Sequence, residues 1–349
     1  MRTSLKIYFL FLLSLNFLFI SCRNNPDKQK KETTQNEVQK VQEEQKPDEF
    51  ALLVSYLEQN GDFINSPYVP AMISADKVKE NLDNPAFLVL DLRKPADYEE
   101  GHIKGAKNVK FYDLINYFQN QINPQDYDKI ALVCYSGQSA SYGAGIMNLL
   151  GYDNVYAMKF GMSSWDLKDA KKAWLKNISD KYLDKLETKE NPKRAPGEYP
   201  VIYTGEKDPK QILLIQAQRA LDDPFKSRLV SADEVFANPD KYYIINYWPK
   251  EQYLEGHIPG AVQYTPKKSL STKTYLNTLP TDKPIVVYCY TGQHASFVSS
   301  FLNTLGYDAR VLKYGANSFM HKKLVEKKWH PFTKKAIHNY PVEKAELVH

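Results

Sequence analysis

Two cysteines, Cys134 and Cys289, have the surroundings of nucleophiles in this chain of 349 residues. Each follows a short apolar run and precedes a loop of small and polar residues, after which apolar residues recur at helical spacing. Each thiol is therefore predicted at the carboxyl end of a strand and at the N-terminus of a helix. Unpaired backbone N–H groups and the helix dipole favour an anion there, so a nucleophilic thiolate with a lowered pKa is expected. The alternative is a buried, inert thiol at each position.

The loop after each cysteine offers hydrogen-bond donors to a charged sulfur. Ser136 and Thr291 occupy matching positions two residues after the cysteines. The glutamines at 138 and 293 either supply a neutral donor or cap the following helix. Gly137 and Gly292, which directly precede these glutamines, permit a tight loop. The predicted substrate-binding loops comprise Tyr135, Ser136, Gly137, Gln138 and Ser139 in one case and Tyr290, Thr291, Gly292, Gln293 and His294 in the other.

The two loops belong to a long internal repeat. Three motifs recur at a constant separation of 155 residues, and a period of this length indicates two copies of a whole domain. The recurring pairs are Gly101-His102-Ile103 with Gly256-His257-Ile258, Cys134-Tyr135 with Cys289-Tyr290, and Gly151-Tyr152-Asp153 with Gly306-Tyr307-Asp308.

Apolar strands alternate with helical patterns in each copy, which predicts an α/β fold of two domains, each a parallel sheet flanked by helices. Buried strands are expected at 87–90, 130–133, 243–245 and 285–287, and a linker helix at 212–221. The predicted organisation is a signal peptide (1–21), a lipidated cysteine with a flexible tether (22–47), an N-terminal helix packed on the first domain (48–66), a first domain (67–175), a linker (176–223), a second domain (224–332) and a C-terminal tail (333–349).

In its ordered motifs, each copy resembles the rhodanese superfamily. The first copy carries Asp91-Leu92-Arg93, Asp97-Tyr98, the Gly-His-Ile turn at 101–106, the Cys134 loop and Gly161-Met162 with Trp165. The resemblance implies a sulfurtransferase in which Cys134 and Cys289 accept sulfane sulfur as persulfides. It also implies that no metal or organic cofactor is needed.

The loops depart from the rhodanese pattern at one informative place. Many thiosulfate-using members carry Arg five residues after the cysteine, where this chain has Ser139 and His294. Weak thiosulfate binding is therefore expected. His294 is either protonated beside a thiolate or an exposed residue at the helix start. The related phosphatase and arsenate-reductase branch ends its loop in Arg, and Ala140 and Ala295 stand at that position, so phosphoryl transfer is disfavoured.

The two copies also differ outside the loops. Asp91, Arg93 and Asp97 of the first copy stand as Asn246, Trp248 and Gln252 in the second. An Arg93–Asp97 ion pair of structural importance is predicted, because both members are absent together from the second copy. His102 and His257 are expected to hydrogen-bond the backbone, and Trp165 to lie in the core.

The N-terminus has the pattern of an export signal. Arg2 and Lys6 precede an apolar stretch that is short for a membrane span and leads into Ser21-Cys22. A small residue before Cys after such a stretch resembles the lipobox of bacterial lipoproteins, which implies lipidation of Cys22. The polar residues that follow predict a flexible tether. A lipid-anchored protein of the bacterial envelope is expected, with the outer membrane favoured; the alternative is an ordinary signal peptide.

Composition narrows the functional classes. The formal charge of +5 is spread along the chain without a long basic run, so no nucleic-acid partner is predicted. The three cysteines are Cys22 and the two loop thiols, which leaves no dedicated structural disulfide. A sulfurtransferase using thiosulfate, a persulfide or a polysulfide as donor and a thiol or cyanide as acceptor explains both loops. A non-catalytic sulfur carrier or protein-binding module explains the missing loop cations.

Overall fold

The computed structural model describes residues 48–344, and these contain two five-stranded parallel sheets. The predicted signal peptide, the lipidation site Cys22, the tether at 22–47 and the last five residues of the tail lie outside the described residues. The predicted α/β class, with two domains that each have a parallel sheet flanked by helices, is confirmed.

The first sheet has the strand order β1-β5-β4-β2-β3. Its strands are β1 (Met72–Ile73), β2 (Phe87–Asp91), β3 (Lys107–Asn108), β4 (Lys129–Val133) and β5 (Val155–Met158). The helices up to the end of this repeat are α1 (Glu49–Gln59), α2 (Ala75–Glu80), α3 (Pro95–Glu100), α4 (Leu114–Asn120), α5 (Gln138–Leu149), α6 (Met162–Trp165) and α7 (Leu167–Lys172).

The second sheet repeats this order as β6-β10-β9-β7-β8. Its strands are β6 (Leu229–Val230), β7 (Tyr243–Asn246), β8 (Val262–Gln263), β9 (Ile285–Tyr288) and β10 (Ala309–Leu312). The linker helix is α8 (Pro209–Asp222), and the remaining helices are α9 (Ala232–Ala237), α10 (Lys250–Leu254), α11 (Gln293–Thr304) and α12 (His321–Lys327).

The central strand of each sheet, β4 or β9, leads directly into a cysteine. Both are covered on their two faces, so their sequences are nearly continuous apolar runs rather than alternating ones. The predicted strands are confirmed to within one residue at each end. The helices that follow, α5 and α11, pack on each other between the two sheets. Gly145 permits the close approach, because a Cβ there would lie 2.2 Å from Ser300 Oγ.

Asp48 caps the N-terminus of helix α1, because its carboxylate accepts the Ala51 N–H at 3.0 Å. Its main packing is on the linker helix α8, and Phe50 stacks on Tyr199 of the linker with ring centroids 4.5 Å apart. Phe50 also meets Tyr307 of the second repeat edge-on. The helix itself is confirmed. It was expected to pack on the first domain, and the structure adds extensive packing on the linker and the second repeat.

The segment after each domain crosses to the other repeat. Glu187 in the linker exchanges two backbone hydrogen bonds of 2.9 Å with His257 of the second repeat. Glu343 in the tail exchanges two of 2.8 Å with His102 of the first repeat. The segment that follows each repeat therefore binds the Gly-His-Ile turn of the other repeat, and these two contacts hold the repeats together.

Within residues 48–344, no helix has both the length and the apolar character needed to cross a membrane.

Candidate active site

Cys134 lies directly after β4, inside a loop whose backbone amides converge on its sulfur. Its Sγ accepts the N–H groups of Gly137 at 3.1 Å and Ala140 at 3.4 Å. Gly137 has a φ of +86° at the start of α5, a backbone conformation that favours glycine. Two amides at a helix N-terminus can hold a negatively charged sulfur without any cationic side chain. The predicted strand-end and helix-start position of Cys134 is confirmed.

Each loop rests against the turn that follows the neighbouring strand. The Met162 N–H donates to the Cys134 carbonyl at 2.8 Å, and the Ala316 N–H donates to the Cys289 carbonyl at 2.9 Å. A Cβ at Gly161 or Gly315 would lie 2.3 or 2.4 Å from the same carbonyl oxygens. Only glycine fits there, so the turn and the cysteine loop support each other.

Cys289 lies in a similar loop directly after β9. Its Sγ accepts the Ala295 N–H at 3.4 Å. Burial raises the pKa of the Cys289 thiol, and the neighbouring backbone amides only partly oppose this effect. The expectation of a lowered thiol pKa was therefore wrong for Cys289, since the loss of hydration outweighs the amide hydrogen bonds.

The tyrosine after each cysteine reaches away from the sulfur. Tyr135 donates its hydroxyl hydrogen to Asp97 at 2.7 Å and accepts the Lys94 N–H at 3.1 Å. Burial, followed by the bond to Asp97, raises the pKa of Tyr135 to about 12. Tyr290 donates in the same way to Gln252, and its ring stacks on Trp248. The two tyrosines thus anchor the loops to α3 and α10.

Ser136 and Thr291 both make hydrogen bonds to groups other than the cysteine sulfur. The Ser136 carbonyl accepts the Trp174 indole N–H at 3.1 Å. Thr291 Oγ1 accepts the Gln293 N–H at 3.3 Å, a local turn bond just before α11. Donation by either hydroxyl to a persulfide stays a prediction.

The two loop glutamines cross to the opposite repeat, which neither predicted role anticipated. Gln138 Oε1 accepts the Tyr314 N–H at 3.0 Å, and Gln293 Oε1 accepts the Phe160 N–H at 3.0 Å. Both glutamine side chains are buried. They neither cap their own helices nor face their own cysteines, because the packing of α5 on α11 brings each glutamine against the other repeat.

An aromatic cluster that the sequence analysis missed lies beside the loops. It consists of Phe160, Trp174, Tyr314 and Phe332, with ring centroids about 5 Å apart. Burial, and then the nearby Cys134, raises the pKa of Tyr314 to about 12. A second-repeat phenol therefore lies near the first-repeat thiol. The signal available in the sequence was that Phe160 and Tyr314 each precede the glycine of the supporting turn.

Ser139 and His294, the residues five positions after the cysteines, differ in their ability to carry a charge. Ser139 is half-buried. His294 is also half-buried, and its ring meets Tyr247 edge-on with centroids 5.0 Å apart. Its Nε2 is buried without a hydrogen-bond partner, and burial, followed by the nearby Lys267, lowers the pKa of His294 to about 3. Both expectations for His294 were wrong: the ring is neither protonated at neutral pH nor exposed, because α11 packs it against Tyr247.

Arg93 does not pair with Asp97, contrary to the prediction. Its guanidinium binds Asp91 at 2.7 Å and Asp169 at 3.4 Å, all three side chains being buried. Burial raises the pKa of Asp169 to about 6 against the opposing effect of Arg93. Asp91 and Arg93 are still replaced together in the second repeat, by Asn246 and Trp248. The predicted pair was therefore wrong in its acidic member: Asp91, and not Asp97, is the partner that is replaced together with Arg93.

The predicted backbone role of both turn histidines is confirmed. His102 Nδ1 lies 2.9 Å from the Tyr98 carbonyl oxygen, and His257 Nδ1 lies 2.7 Å from that of Tyr253. Trp165 is fully buried, as predicted, and donates its indole N–H to the Pro341 carbonyl at 2.9 Å.

Cys134 and Cys289 are both free thiols, each 2% exposed. Across residues 48–344, no group of three or more His, Cys, Asp or Glu side chains is placed to hold a metal ion.

Two copies of one family model account for both repeats. The model of the Rhodanese-like domain matches residues 74–168 and 231–322, and the chain belongs to this family. Thiosulfate sulfurtransferase GlpE of Pseudoalteromonas translucida is 28% identical over 95 residues, which cover 27% of this chain and 87% of that protein. Putative sulfur carrier protein YrkF of Bacillus subtilis is 28% identical over 120 residues, which cover 34% of this chain and 63% of that protein. A solved thiosulfate sulfurtransferase from Pseudomonas aeruginosa is 17% identical, with a TM-score of 0.29, and the match covers 82% of this chain and 48% of that one.

The chain is thus a tandem protein of the rhodanese superfamily, which confirms the resemblance drawn from the motifs.

Proposed function

We propose that this protein is a rhodanese-type sulfurtransferase that carries sulfane sulfur as a cysteine persulfide. The observation that carries the proposal is the pair of backbone N–H groups, from Gly137 and Ala140, that converge on Cys134 Sγ at the start of α5. Such a cradle stabilises a charged sulfur in a water-poor site. The names of the relatives, which include thiosulfate sulfurtransferases and a putative sulfur carrier protein, support the same chemistry.

The reaction consists of two displacements at sulfur. The Cys134 thiolate attacks the terminal sulfur of a donor R–S–S⁻, a new S–S bond forms, the old one breaks, and R–S⁻ leaves with the electron pair. An acceptor thiolate then attacks the terminal sulfur of the Cys134 persulfide and leaves with it, which restores the Cys134 thiolate. No oxidant or reductant is consumed, and the loop amides hold the negative charge at each stage.

The donor class follows from the charges at the loops. Ser139 contributes no charge, and His294 is neutral because its pKa is lowered to about 3 by burial. A thiosulfate dianion would therefore depend on backbone amides and the helix dipole, which offset less charge than a paired guanidinium. Persulfides and polysulfides are the proposed donors, and thiols the proposed acceptors.

The second candidate is a sulfur carrier or protein-binding module that does not turn over. It is favoured by the burial of both thiols and by the aromatic cluster of Phe160, Trp174, Tyr314 and Phe332 beside the loops. A carrier would load sulfur once and release it only to a partner, whereas an enzyme would regenerate free thiol with a small acceptor over many cycles.

Intact-protein mass measurement after polysulfide exposure tests the proposal. The wild type is expected to gain two sulfur atoms, and Cys134→Ser and Cys289→Ser one each. Repeated loading and release with excess glutathione would mark an enzyme, and a single unreleased load would mark a carrier. Absence of sulfur uptake by the wild type would contradict both. If one single variant loses all uptake, only the replaced cysteine is an acceptor.

We further propose that the protein is lipid-anchored at Cys22 in the bacterial envelope, facing the periplasm or surface, with the outer membrane favoured. The apolar stretch leading into Ser21-Cys22 supports this proposal. Arg23 follows the lipidated residue, so the chain lacks the Asp that marks inner-membrane retention in some bacteria. Cys22→Ser should move the protein to the soluble fraction, while Cys134→Ser should stay with membranes. Recovery of Cys22→Ser in membranes at the wild-type level would overturn the anchor.

A further inference from the structure

Phe160 and Tyr314 hold matching positions in the two repeats, directly before the glycines of the supporting turns. Their φ angles are +64° and +62°, a left-handed conformation that large aromatic residues rarely adopt. Both side chains belong to the aromatic cluster beside the cysteine loops. The two residues differ in one functional group, since Tyr314 carries a hydroxyl and Phe160 does not.

Tyr314 lies against the Cys134 loop although it belongs to the second repeat. Its N–H donates to the side chain of Gln138, a residue of that loop, at 3.0 Å. Its ring packs on the Trp174 ring with centroids 4.9 Å apart, and the Trp174 indole N–H donates to the Ser136 carbonyl at 3.1 Å. The backbone and the ring of Tyr314 are therefore both held to the loop that carries Cys134.

The Tyr314 hydroxyl is an unused hydrogen-bond donor. Tyr314 is 5% exposed, and within residues 48–344 its hydroxyl makes no hydrogen bond. By contrast, the hydroxyl of Tyr242, which is also 5% exposed, donates to Glu234 at 3.1 Å. The Tyr314 oxygen is not one of the fully enclosed unpartnered atoms of the described residues, so a small group can still reach it. A donor left unpaired in a buried residue indicates a partner that is present only at some stage of the reaction.

A persulfide on Cys134 would need such a donor. The N–H groups of Gly137 and Ala140 are directed at Sγ, whereas the terminal sulfur of a persulfide lies one S–S bond farther out, about 2 Å. That terminal sulfur carries the negative charge of the persulfide anion. Because the pKa of Tyr314 is raised to about 12 by burial and then by the nearby Cys134, the phenol stays protonated at neutral pH and can donate.

We propose that the Tyr314 hydroxyl donates a hydrogen bond to the terminal sulfur of the Cys134 persulfide, so that the second repeat supplies a catalytic residue to the first. This role rests on the proposed sulfurtransferase function. When an acceptor thiolate attacks the terminal sulfur, the hydrogen bond offsets the negative charge that would repel it. A new S–S bond forms, the Cys134 thiolate leaves with the electron pair of the old one, and the proton stays on the phenol. Phe160, at the matching position, offers no such donor to the Cys289 loop.

The ionisation of the Cys134 persulfide tests this contact. In a Cys289→Ser background, Cys134 is converted to a pyridyl disulfide, and sulfide then displaces the pyridinethiolate, so the persulfide is installed without any transferase activity. Tyr314→Phe should raise the pKa of that persulfide by about one unit, because it removes one hydrogen bond to a charged acceptor. The absorption of the persulfide anion measured across pH gives this value, with the Cys134→Ser, Cys289→Ser double variant as the blank.

Tyr242→Phe is the matched control. It removes an equally buried hydroxyl just before β7, at the opposite end of the sheet from the cysteine loops, and should leave the persulfide pKa unchanged. Tyr314→Phe should also slow sulfur release from Cys134 to glutathione several-fold while keeping the melting temperature, since it breaks no hydrogen bond of the resting protein.

An unchanged persulfide pKa in Tyr314→Phe, or an equal shift in Tyr242→Phe, overturns the role of Tyr314. A lower melting temperature with an unchanged persulfide pKa would assign the residue to packing alone and overturns it equally. Failure of the wild type to take up sulfur from polysulfide would contradict the proposed function instead, and the chemically installed persulfide would still decide whether the Tyr314 hydroxyl contacts the sulfur.

Discussion

The two cysteine loops have nearly the same backbone but different surroundings. Behind the Cys134 loop lie charged groups, with Arg93 held between Asp91 and Asp169. Behind the Cys289 loop, Trp248 replaces the arginine and stacks on Tyr290 with ring centroids 5.0 Å apart. The comparison teaches that a repeated motif preserves the backbone amides around the thiol, whereas the side chains packed behind the loop are free to change from charged to aromatic.

The largest expected difference is between the two single-cysteine proteins. At pH 7, Cys289→Ser, which retains Cys134, should take up sulfur from polysulfide several-fold faster than Cys134→Ser, which retains Cys289. The physical reason is that burial raises the pKa of Cys289 and leaves less thiolate at neutral pH. The uptake rate of Cys289 should therefore keep rising as the pH increases above the ordinary pKa of a thiol. Stopped-flow loading from pH 6 to 10 measures both rates, and a faster Cys289 at pH 7 would reverse the ranking.

A second difference tests communication between the repeats. Gln138 lies in the first repeat but holds the Tyr314 N–H, next to the turn that supports the Cys289 loop. In a Cys134→Ser background, Gln138→Ala should therefore speed iodoacetamide labelling of Cys289 several-fold, because loosening the turn opens a thiol that is only 2% exposed. Losing a buried hydrogen bond should also cost about 1–3 kcal/mol of stability.

The exposed Gln211→Ala on α8 is the matched control and should leave both quantities unchanged. Gln293→Ala in a Cys289→Ser background is the reciprocal experiment, because Gln293 holds the Phe160 N–H beside the turn that supports Cys134. Labelling rates that rise only in proportion to global unfolding would show that the glutamines stabilise the interface without positioning the loops.

A third difference appears in the pH dependence of stability. The second repeat has the titratable His294 where the first repeat has Ser139. The pKa of His294 in the folded protein, about 3, lies below its value in the unfolded chain. The unfolded chain therefore binds an extra proton between about pH 6.5 and 3, so the stability contributed by neutral His294 is complete above that window and is lost as pH falls through it. The slope from this one residue should not exceed about 1.4 kcal/mol per pH unit. Urea unfolding of wild type and His294→Phe at pH 7, 5.5 and 4.5 measures it, and identical pH dependence in both would exclude the effect.

The smallest expected effect concerns the donor. Ser139→Arg should raise kcat/KM for thiosulfate a few-fold, because a guanidinium near the Cys134 loop attracts the dianion. Polysulfide should stay the better donor for the wild type in the same steady-state assay. Ser139→Gln supplies the control of similar length without charge. An unchanged preference in Ser139→Arg, or thiosulfate as the better wild-type donor, would contradict the role assigned to loop charge.

The sequence by itself determined the features that depend on neighbouring residues. Continuous apolar runs indicated the central strands β4 and β9, and the small-residue loops before α5 and α11 placed Cys134 and Cys289 at helix starts. The constant separation of 155 residues revealed the two domains. These predictions succeeded because strand burial, helix periodicity and loop chemistry are encoded within short stretches of chain.

Only the tertiary structure decided which side chains meet across the repeats. The Gln293–Phe160 bond joins residues 133 positions apart, and Glu343 meets His102 through a tail that no local pattern connects to the first domain. The same holds for the neutral state of His294 and for the unpartnered hydroxyl of Tyr314, which depend on what packs around them. Desolvation and hydrogen-bond satisfaction are properties of the folded neighbourhood, so residue type and spacing alone do not specify them.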